Sequence, residues 1–429
     1  MKYEEYKDSG VKWIGVVPSY WEVRKIKSLS IVKRGASPRP IEDPKYFDDN
    51  GEYAWVRIAD VSNSERYLEE TTQTLSKLGA SLSVKREPGD IFISIAGTVG
   101  KPIITHIKCC IHDGFVWFPY LRQNTEFLYY LFMSGQPYLG LGKMGTQLNL
   151  NTETIGNIQI PLPPLPEQQT IAAYLDEKCG EINRAIDVQK KKIELLNELK
   201  QTIITDAVTK GLNPNAPMKD SGVEWIGKVP EHWKVMKTSL AFTHIGSGTT
   251  PSTSKNEYYE DDGDFWLQTG DLTDGIITDT SKKVSKIAIR ECNLKFYPTN
   301  SVVIAMYGAT IGKMGLLQIE CATNQACCVL PSNNHIDAKF TFYFFLSAKT
   351  DLLISAIGGG QPNISQDVIK KTKMIVPPLS EQQTIANYLD EECTKIDVQI
   401  SNANHRIELL NELKQSIITE AVTGKIKIC

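Results

Sequence analysis

The sequence lacks most of the motifs that mark enzymes, metal proteins and secreted proteins. Its nine cysteines include no Cys-x-x-Cys pair, and no histidine stands at ligand spacing from a cysteine or fits His-Glu-x-x-His. Gly-x-Ser-x-Gly, kinase signatures and the Asn/Asp-Pro-Pro-Tyr/Phe motif of amino-group methyltransferases are also absent. The first twenty residues contain no apolar signal core. We therefore expect a cytoplasmic, non-catalytic protein with no metal, no cofactor and no membrane span, and with reduced cysteines that are mostly buried.

The sequence also has no large excess of positive or negative charge. The net charge is −3, from 47 Lys+Arg and 50 Asp+Glu, and residues 231–376 carry equal numbers of each sign. A nucleic-acid partner would therefore require basic residues gathered onto one face of each globular region. Residues 96–101 and 308–313 resemble phosphate loops, but the glycine spacing is wrong and no Ser or Thr follows the lysine. We interpret both stretches as tight turns whose lysines could meet a phosphate backbone.

An internal duplication is the main positive feature. Residues 163–208 return as residues 377–422, and the first seventeen positions of the two copies share fourteen identities. Residues 7–23 return as residues 219–235 with twelve of seventeen identical. Each half therefore consists of a Trp-Ile-Gly-x-Val-Pro leader, a globular region, a proline-rich hinge and a helical segment.

Each hinge is followed by the pattern of one long helix. Apolar residues alternate steps of three or four with steps of seven, while Lys, Glu and Asp fill the other faces. Ser380 with Gln383 matches a capping box at the start of the second helix. Two helices with the same narrow stripe pack best on each other, so we predict an antiparallel pair. The stripe residues are Ile171, Leu175, Ile182, Ile186, Ile193, Leu196 and Ile203, then Ile385, Leu389, Ile396, Ile400, Ile407, Leu410 and Ile417.

The two globular regions share a skeleton but few polar residues. Short β-rich runs alternate with Gly, Pro and Asn turns, which predicts an α+β domain with mixed sheets. Shared marks include Gly35-x-x-Pro38 with Gly248-x-x-Pro251, and Trp55 with Trp266. The predicted segments are a leader (1–18), a first globular domain (19–160), a hinge and helix (161–216), a repeated leader with a second globular domain (217–376), and a second hinge and helix (377–429).

The leader KDSGVEWIGKVPEHW, the hinges PLPPLPEQQTIAAYLD and VPPLSEQQTIANYLD, and the helix end LLNELKQSIITEAVTGKI closely resemble the specificity (S) subunits of type I restriction-modification systems. The resemblance covers essentially the whole chain. It implies two tandem target-recognition domains separated by two long antiparallel helices that form a coiled coil, with a pseudo-two-fold internal duplication. It also implies that each domain reads one half of a bipartite, asymmetric site on double-stranded DNA.

The resemblance further implies that the helices dock two methyltransferase (M) subunits, and that restriction (R) subunits join through the assembled complex. S-adenosylmethionine, ATP and Mg would then belong to the partner subunits. A stand-alone two-headed DNA-binding regulator remains the alternative, since it would also need two reading domains on a spacer. The two differ in whether the protein is recovered with M.

The polar residues best suited to DNA contact are arginines, lysines and amides near the shared marks. In the first half they are Arg34, Arg39, Arg57, Lys101, Lys143, Gln147 and Asn149, and in the second Thr249, Gln268, Lys313, Asn324, Gln325, Gln361 and Asn363. The expected partner-docking residues are those of the two hinge motifs, Glu167, Gln168, Gln169, Glu381, Gln382 and Gln383.

Overall fold

The computed structural model describes residues 2–141, 150–355 and 363–428, and the chain divides into two compact units. Unit 1 comprises Met1–Gln189 and Asn404–Cys429, and unit 2 comprises Lys190–Ala403. Each unit therefore holds one globular region and part of both long helices. The segments predicted from the sequence are consecutive, whereas unit 1 combines the two ends of the chain.

The strands of unit 1 are short, and most belong to two mixed sheets. They are β1 (Tyr6–Asp8), β2 (Val16–Pro18), β3 (Glu22–Lys25), β4 (Lys33–Arg34), β5 (Tyr53–Val56), β6 (Tyr67–Leu68), β7 (Thr74–Leu75), β8 (Val84–Arg86), β9 (Ile91–Ser94), β10 (Pro102–Thr105), β11 (Cys109–Ile111), β12 (Phe115–Trp117) and β13 (Gln159–Leu162). A five-stranded sheet has the order β4-β12-β9-β10-β6, and a four-stranded sheet has the order β7-β5-β11-β8. Two antiparallel pairs, β1 with β2 and β3 with β13, form the leader and join it to the hinge.

The helices of unit 1 are α1 (Ile26–Leu29), α2 (Ile58–Asn63), α3 (Lys77–Ser81), α4 (Thr125–Met133), α5 (Thr152–Asn157) and the first part of α6 (Leu165–Lys210). We call residues 26–158, which carry both mixed sheets, head 1.

Successive side chains along a strand point to opposite faces, and both faces of the central strands β9 and β10 of the five-stranded sheet are buried. Phe92 and Ile103 pack between the two sheets of head 1. Their neighbours Ile93 and Ile104 face the other way, in the cluster that includes α4 and Leu175 of α6. The long helix is therefore part of the core on which head 1 stands.

Unit 2 repeats this architecture. Its strands are β14 (Met218–Asp220), β15 (Lys228–Pro230), β16 (Lys234–Lys237), β17 (Gly246–Ser247), β18 (Tyr259–Leu267), β19 (Gly275–Ile277), β20 (Lys282–Val284), β21 (Phe296–Tyr297), β22 (Ser301–Ala305), β23 (Met314–Leu317), β24 (Cys321–Thr323), β25 (Cys327–Pro331) and β26 (Lys373–Val376). The sheet orders β17-β25-β22-β23-β19 and β20-β18-β24-β21 match those of unit 1 strand for strand. The α+β class predicted from the sequence is confirmed.

The helices of unit 2 are α7 (Thr238–Ala241), α8 (Lys286–Glu291), α9 (Ala338–Ser347), α10 (Lys349–Ile354), α11 (Gln366–Lys371) and the first part of α12 (Leu379–Val422). We call residues 238–372 head 2.

The two long helices run antiparallel within each unit, as the stripe predicts. In unit 1, Lys414 of α12 donates to Asn183 of α6 at 2.8 Å. In unit 2, Lys200 of α6 pairs with Asp397 of α12 at 2.7 Å. Each predicted stripe residue is buried or half-buried. The predicted capping box is not at the helix start, because α12 begins at Leu379 and places Ser380 inside the first turn.

A glutamine in the first turn of each long helix ties the hinge to the head of the same unit. In unit 2 the buried Gln382 accepts from the Asp337 backbone N–H at 2.8 Å. It donates to the carbonyl oxygens of Pro377 at 2.9 Å and His335 at 3.0 Å. Gln168 of unit 1 likewise accepts from the Asn124 N–H at 2.9 Å. Asn124 and Asp337 are the N-caps of α4 and α9, so the glutamine fixes where that helix begins.

A charged clamp also fastens head 1 to its helix. Arg66 lies between the sheet and α6, where it bonds both Glu126 of α4 and Asp176 of α6. The Tyr130 hydroxyl donates to the same Asp176 at 2.8 Å. The Arg66 side chain is only 15% exposed, whereas Asp176 is 47% exposed, so the cation is covered and its carboxylate partner on α6 remains in contact with solvent.

Head 2 is fastened to its long helix in the same way, but a different residue supplies the positive charge. Asp390 of α12, in the place of Asp176, is bonded by Lys339 and by the Tyr343 hydroxyl, the latter at 2.8 Å. Lys339 is the second residue of α9, as Glu126 is the second residue of α4. The cation therefore comes from the helix in unit 2 and from the sheet edge in unit 1.

The eight cysteines among the described residues are free thiols, and seven of them are buried. Burial raises the pKa of Cys109 and of Cys328 to about 12. These thiols are therefore protonated and buried at neutral pH. Among the described residues, no helix combines the length and the hydropathy that crossing a bilayer requires.

The buried glutamine yields a stability prediction. Gln382→Ala leaves the Asp337 N–H and two carbonyl oxygens without their partner, so we expect unfolding to become easier by about 1 to 3 kcal/mol. Gln383→Ala, at the exposed next position, should change stability by less than about 0.5 kcal/mol. Urea unfolding followed by circular dichroism would compare the two, and equal midpoints would contradict the structural role of Gln382.

Candidate nucleic-acid interface

Parallel strand pairing brings the residues that follow two neighbouring strands to one edge of each head. In head 1, β5 and β11 are parallel with Val56 beside Ile111, so Arg57 and His112 follow at the same edge. In head 2, β18 and β24 are parallel with Leu267 beside Thr323, so Gln268 and Asn324 follow there. This edge is the candidate interface of each head.

A short turn joins β11 to β12 in head 1 and β24 to β25 in head 2. The side chain of its first residue has a structural role in both heads. His112 Nδ1 accepts from the Gly114 N–H at 2.7 Å, and the imidazole packs 4.7 Å from the Phe115 ring. In head 2, Asn324 Oδ1 accepts from the Ala326 N–H at 3.1 Å. The side chain at this position closes the turn, so Asn324, which is also a predicted DNA-contacting residue, has a structural role.

The second turn residue in head 1, Asp113, collects three polar side chains. Its Oδ1 accepts from the Ser37 hydroxyl at 3.3 Å and its Oδ2 pairs with Arg39 at 3.0 Å. Its main-chain oxygen accepts from Arg34 Nε at 2.8 Å. Two of the predicted arginines therefore meet at one turn.

The second turn residue of head 2 is Gln325, and a hydroxyl group holds it too. Its Oε1 accepts from the Thr250 hydroxyl. Ser37 and Thr250 each stand two residues after the glycine of the shared Gly-x-x-Pro motif. We call Asp113 and Gln325 the turn-tip residues.

The glycine of this motif permits the close approach. A Cβ on Gly35 would lie 2.1 Å from the His112 carbonyl oxygen, and one on Gly248 would lie 1.7 Å from the Thr323 carbonyl oxygen. Both distances are far inside van der Waals contact with backbone that cannot move aside. Glycine is therefore what allows the segment before the proline to lie against the turn.

Arg57 and Gln268 occupy the same position at the end of the parallel strand. The Arg57 N–H donates to Asp60 at 2.8 Å, and the Gln268 N–H donates to Asp271 at 2.8 Å. The Arg57 guanidinium bonds the Thr72 hydroxyl and lies 3.8 Å from Asp60. The backbone geometry is shared, while the side chain changes from a cation to an amide.

The two turn lysines bond to their own heads. Lys101 donates to the Ser62 carbonyl oxygen at 3.2 Å, and burial lowers the pKa of Lys101. Lys313 lies 3.9 Å from Asp274, which also pairs with Lys349 at 2.8 Å. Contact with a phosphate would require each lysine to exchange these partners.

The remaining candidates for DNA contact are of two kinds. Thr249 and Asn363 are exposed, whereas Lys143, Gln147, Asn149 and Gln361 lie outside the described residues.

The residues expected to dock a partner differ in their exposure. Gln168 and Gln382 are buried and hold the hinge. Glu167 and Glu381 accept from the indoles of Trp21 at 3.2 Å and Trp233 at 2.8 Å. Gln169 and Gln383 are exposed.

Sequence reasoning missed Asp113, Ser37 and Thr250. The shared glycine and proline marked the segment, and a Ser or Thr between them was the available signal for the hydroxyl residue. Asp113 carried no signal, because its role depends on residues 74 and 76 positions away in the sequence. Within the described ranges, no group of three or more His, Cys, Asp or Glu is arranged to hold a metal ion.

Comparison with known proteins gives consistent matches. The family model of the type I restriction modification DNA specificity domain matches twice, at residues 18–198 and 230–410. The MjaX specificity subunit of Methanocaldococcus jannaschii, itself a provisional assignment, is 27% identical over 99% of this chain and 98% of its own length. The MjaVIII specificity subunit from the same organism is 25% identical over 96% of this chain and 94% of its own.

A solved structure shows the same fold. It comes from work on complex assembly and conformational transition of the type I R-M system, and it covers 96% of this chain and 99% of its own chain with a TM-score of 0.75 at 17% identity.

His112 makes the turn of head 1 sensitive to acid. Burial lowers the pKa of His112 below its usual value of about 6.5, an effect larger than the opposing influence of Asp113 at 3.6 Å. Its stabilising contribution is therefore present above about pH 6.5 and is lost as the pH falls through the lowered pKa. A protonated Nδ1 also cannot accept from the Gly114 N–H.

We expect hydrogen exchange at Gly114 to accelerate as the pH falls below the usual histidine pKa of about 6.5 and through the lowered pKa of His112, relative to an unstructured reference peptide at the same pH. The His112→Asn variant, which copies Asn324 of head 2, should remove this dependence. Equal acid sensitivity of the two turns in the unmodified chain would contradict the assignment.

Proposed function

The chain belongs to the type I restriction modification DNA specificity family, and on that premise we propose that each of its two heads reads one half of a bipartite, asymmetric site on double-stranded DNA. The observation that carries the proposal is the pair of matched interfaces. Both heads build the same turn, with the same backbone bonds, and place different side chains on it. Two heads with different chemistry would read two different sequences, which gives an asymmetric site.

The distribution of charge supports DNA as the ligand of head 1. Arg34, Arg39 and Arg57 gather at one edge of a chain whose overall charge is slightly negative. Asp113 and Asp60 lie beside Arg39 and Arg57, so the charge available for phosphate contact comes mainly from Arg34, which bonds a main-chain oxygen. Phosphate contacts orient a protein on DNA, and contacts with base edges supply the sequence preference. Head 2 carries Thr249, Gln268 and Gln325 at the corresponding edge, so its reading would rely on neutral donors and acceptors.

We further propose that the long helices dock two methyltransferase subunits, with restriction subunits joining through the assembled complex. The supporting feature is a pair of exposed leucines on each helix, Leu195 with Leu199 and Leu409 with Leu413. Each pair has the i, i+4 spacing that forms one patch on a helix, and about half of each side chain is exposed. The same patch on both helices fits two copies of one partner.

In this arrangement the chain itself performs no catalysis. Methyl transfer from S-adenosylmethionine, and any ATP- and Mg-dependent step, would take place on the partner subunits. We place the docking surface in the middle of the helices and not at the hinge motifs predicted from the sequence, because the hinge glutamines Gln168 and Gln382 are buried.

The leucine patches can be tested directly. Leu195→Asp combined with Leu199→Asp should lower recovery of the methyltransferase subunit at least tenfold in co-purification, because the change places two charges in an apolar contact. The matched control, Asn197→Asp with Gln201→Asp, introduces the same charges at the same spacing among exposed positions two residues along the helix. Full recovery with the leucine variant would contradict docking at this patch.

A second test concerns the gap between the half-sites, which the helices should set. Insertion of seven residues after Leu196 in α6 and after Ile400 in α12 lengthens both helices by about 10 Å, or about three base pairs, with a rotation of about 20°. We expect methylation mapping to show the same two half-sites with a gap longer by about three base pairs. A changed half-site sequence, or an unchanged gap, would contradict the two-headed arrangement.

A further inference from the structure

The turn-tip residues occupy equivalent places and are held in the same way, yet their chemistry differs. Asp113 stands between β11 and β12, and Gln325 stands between β24 and β25. A hydroxyl from the Gly-x-x-Pro segment donates to an oxygen of each side chain, Ser37 in head 1 and Thr250 in head 2. Because the backbone, the glycine and the hydroxyl are shared, the chemistry of the tip differs between the heads through the turn-tip side chain itself.

In head 1 the tip fixes an arginine. The Arg39 guanidinium pairs with Asp113 Oδ2 at 3.0 Å while remaining 72% exposed, so most of its N–H donors face solvent. An exposed pair of this kind adds little to stability. Its effect is to restrict the guanidinium to one orientation, which favours the bidentate contact that arginine makes with O6 and N7 of guanine.

A phosphate role suits this arginine less well. The Arg39–Asp113 pair is formally neutral, so its attraction to the DNA backbone is much weaker than that of a lone arginine. Phosphate contact would also not require a fixed orientation. The Asp113 carboxylate therefore favours contact of Arg39 with a base and disfavours its contact with the phosphate backbone.

In head 2 the tip is itself the reading group. Gln325 is exposed, and its Oε1 is anchored by Thr250, which orients the amide. An oriented glutamine can donate to N7 and accept from the N6 amino group of adenine. Position 252, which corresponds to Arg39 in its distance from the motif glycine, is a serine whose hydroxyl bonds Ser254.

We propose that the turn tip determines one base pair in each half-site: head 1 selects a G·C pair through Arg39 held by Asp113, and head 2 selects an A·T pair through Gln325 held by Thr250. The proposal rests on the proposed function, since it names the bases that the two interfaces prefer. Asp113 and Thr250 act as positioning residues, and Arg39 and Gln325 touch the DNA.

The first experiment measures discrimination by head 1. Methylation mapping of the complex gives both half-sites, and duplexes are then made in which each guanine of the first half-site is replaced in turn by 7-deazaguanine, which lacks the N7 acceptor. At one guanine we expect the affinity to fall about 5- to 150-fold. The Arg39→Ala complex should show no further loss at that base, and Asp113→Asn should show an intermediate one.

Arg24→Ala is the matched control, because Arg24 is another exposed, ion-paired arginine of unit 1, bound to Glu22 at 3.1 Å. It should leave the 7-deazaguanine effect unchanged. A first half-site without a G·C pair, or full sensitivity in Arg39→Ala, would overturn the inference while leaving two half-sites intact. A single undivided site would instead refute the proposed function itself.

The second experiment moves the chemistry of head 1 into head 2. The double variant Gln325→Asp with Ser252→Arg rebuilds the carboxylate and the arginine beside the existing Thr250. Selection from a duplex library with the first half-site fixed and the second randomised should change one base pair of the second half-site from A·T to G·C. An unchanged preference, or loss of all preference at every position of that half-site, would overturn the role of the tip.

Discussion

Two adjacent side chains in the first turn of each long helix are the restraint on which both units depend. In unit 2, Glu381 accepts from the indole of Trp233 in the leader, and Gln382 accepts from the N-cap of α9 in the head. Glu167 and Gln168 do the same for Trp21 and α4 in unit 1. Leader, helix and head thus meet at one turn, and because the glutamines are buried, any replacement leaves polar backbone groups unpaired. This cost explains why the hinge reads almost identically in both halves.

The clamps between head and helix show that the geometry is kept while the charges are free to change. Asp176 and Asp390 are equivalent, and each accepts from an equivalent tyrosine hydroxyl at 2.8 Å. The cation comes from Arg66 in unit 1, with Glu126 on the far side, and from Lys339 in unit 2 at the position of that glutamate. The carboxylate at this helix position is paired with a cation in both units, but a different element supplies that cation in each. Two heads can therefore diverge in sequence and still stand on their helices in the same way.

The sequence predicts the large features because they depend on residues close together in the chain or repeated along it. The duplication, the helical stripe and the α+β class follow from local patterns, and the motif letters identify the family. Contacts between distant residues are not visible in this way. Gln168 and Gln382 look like surface polar residues in the sequence yet are buried, and Asp113 became a candidate only when the fold brought Ser37 and Arg39 to it. Asn324 is predicted as a base-contacting residue because it is an amide near a shared mark, and the sequence does not reveal that its Oδ1 also closes the turn.

Neighbouring residues of the turn carry separate tasks, which lets the reading chemistry change without loss of the fold. The first turn residue bonds the backbone two residues on, and the motif glycine makes room for the approaching segment. These positions determine the conformation of the turn. The bond that both tips share is the one from a hydroxyl, and aspartate and glutamine both supply the oxygen that the hydroxyl requires. We therefore expect exchange of aspartate and glutamine at the tip to cost little stability, since Asp113 is half-buried, Gln325 is exposed, and either residue can make the shared bond. A recognition head built in this way can acquire a new base preference through changes at the tip and at the residue after the proline, while the turn beneath them stays the same.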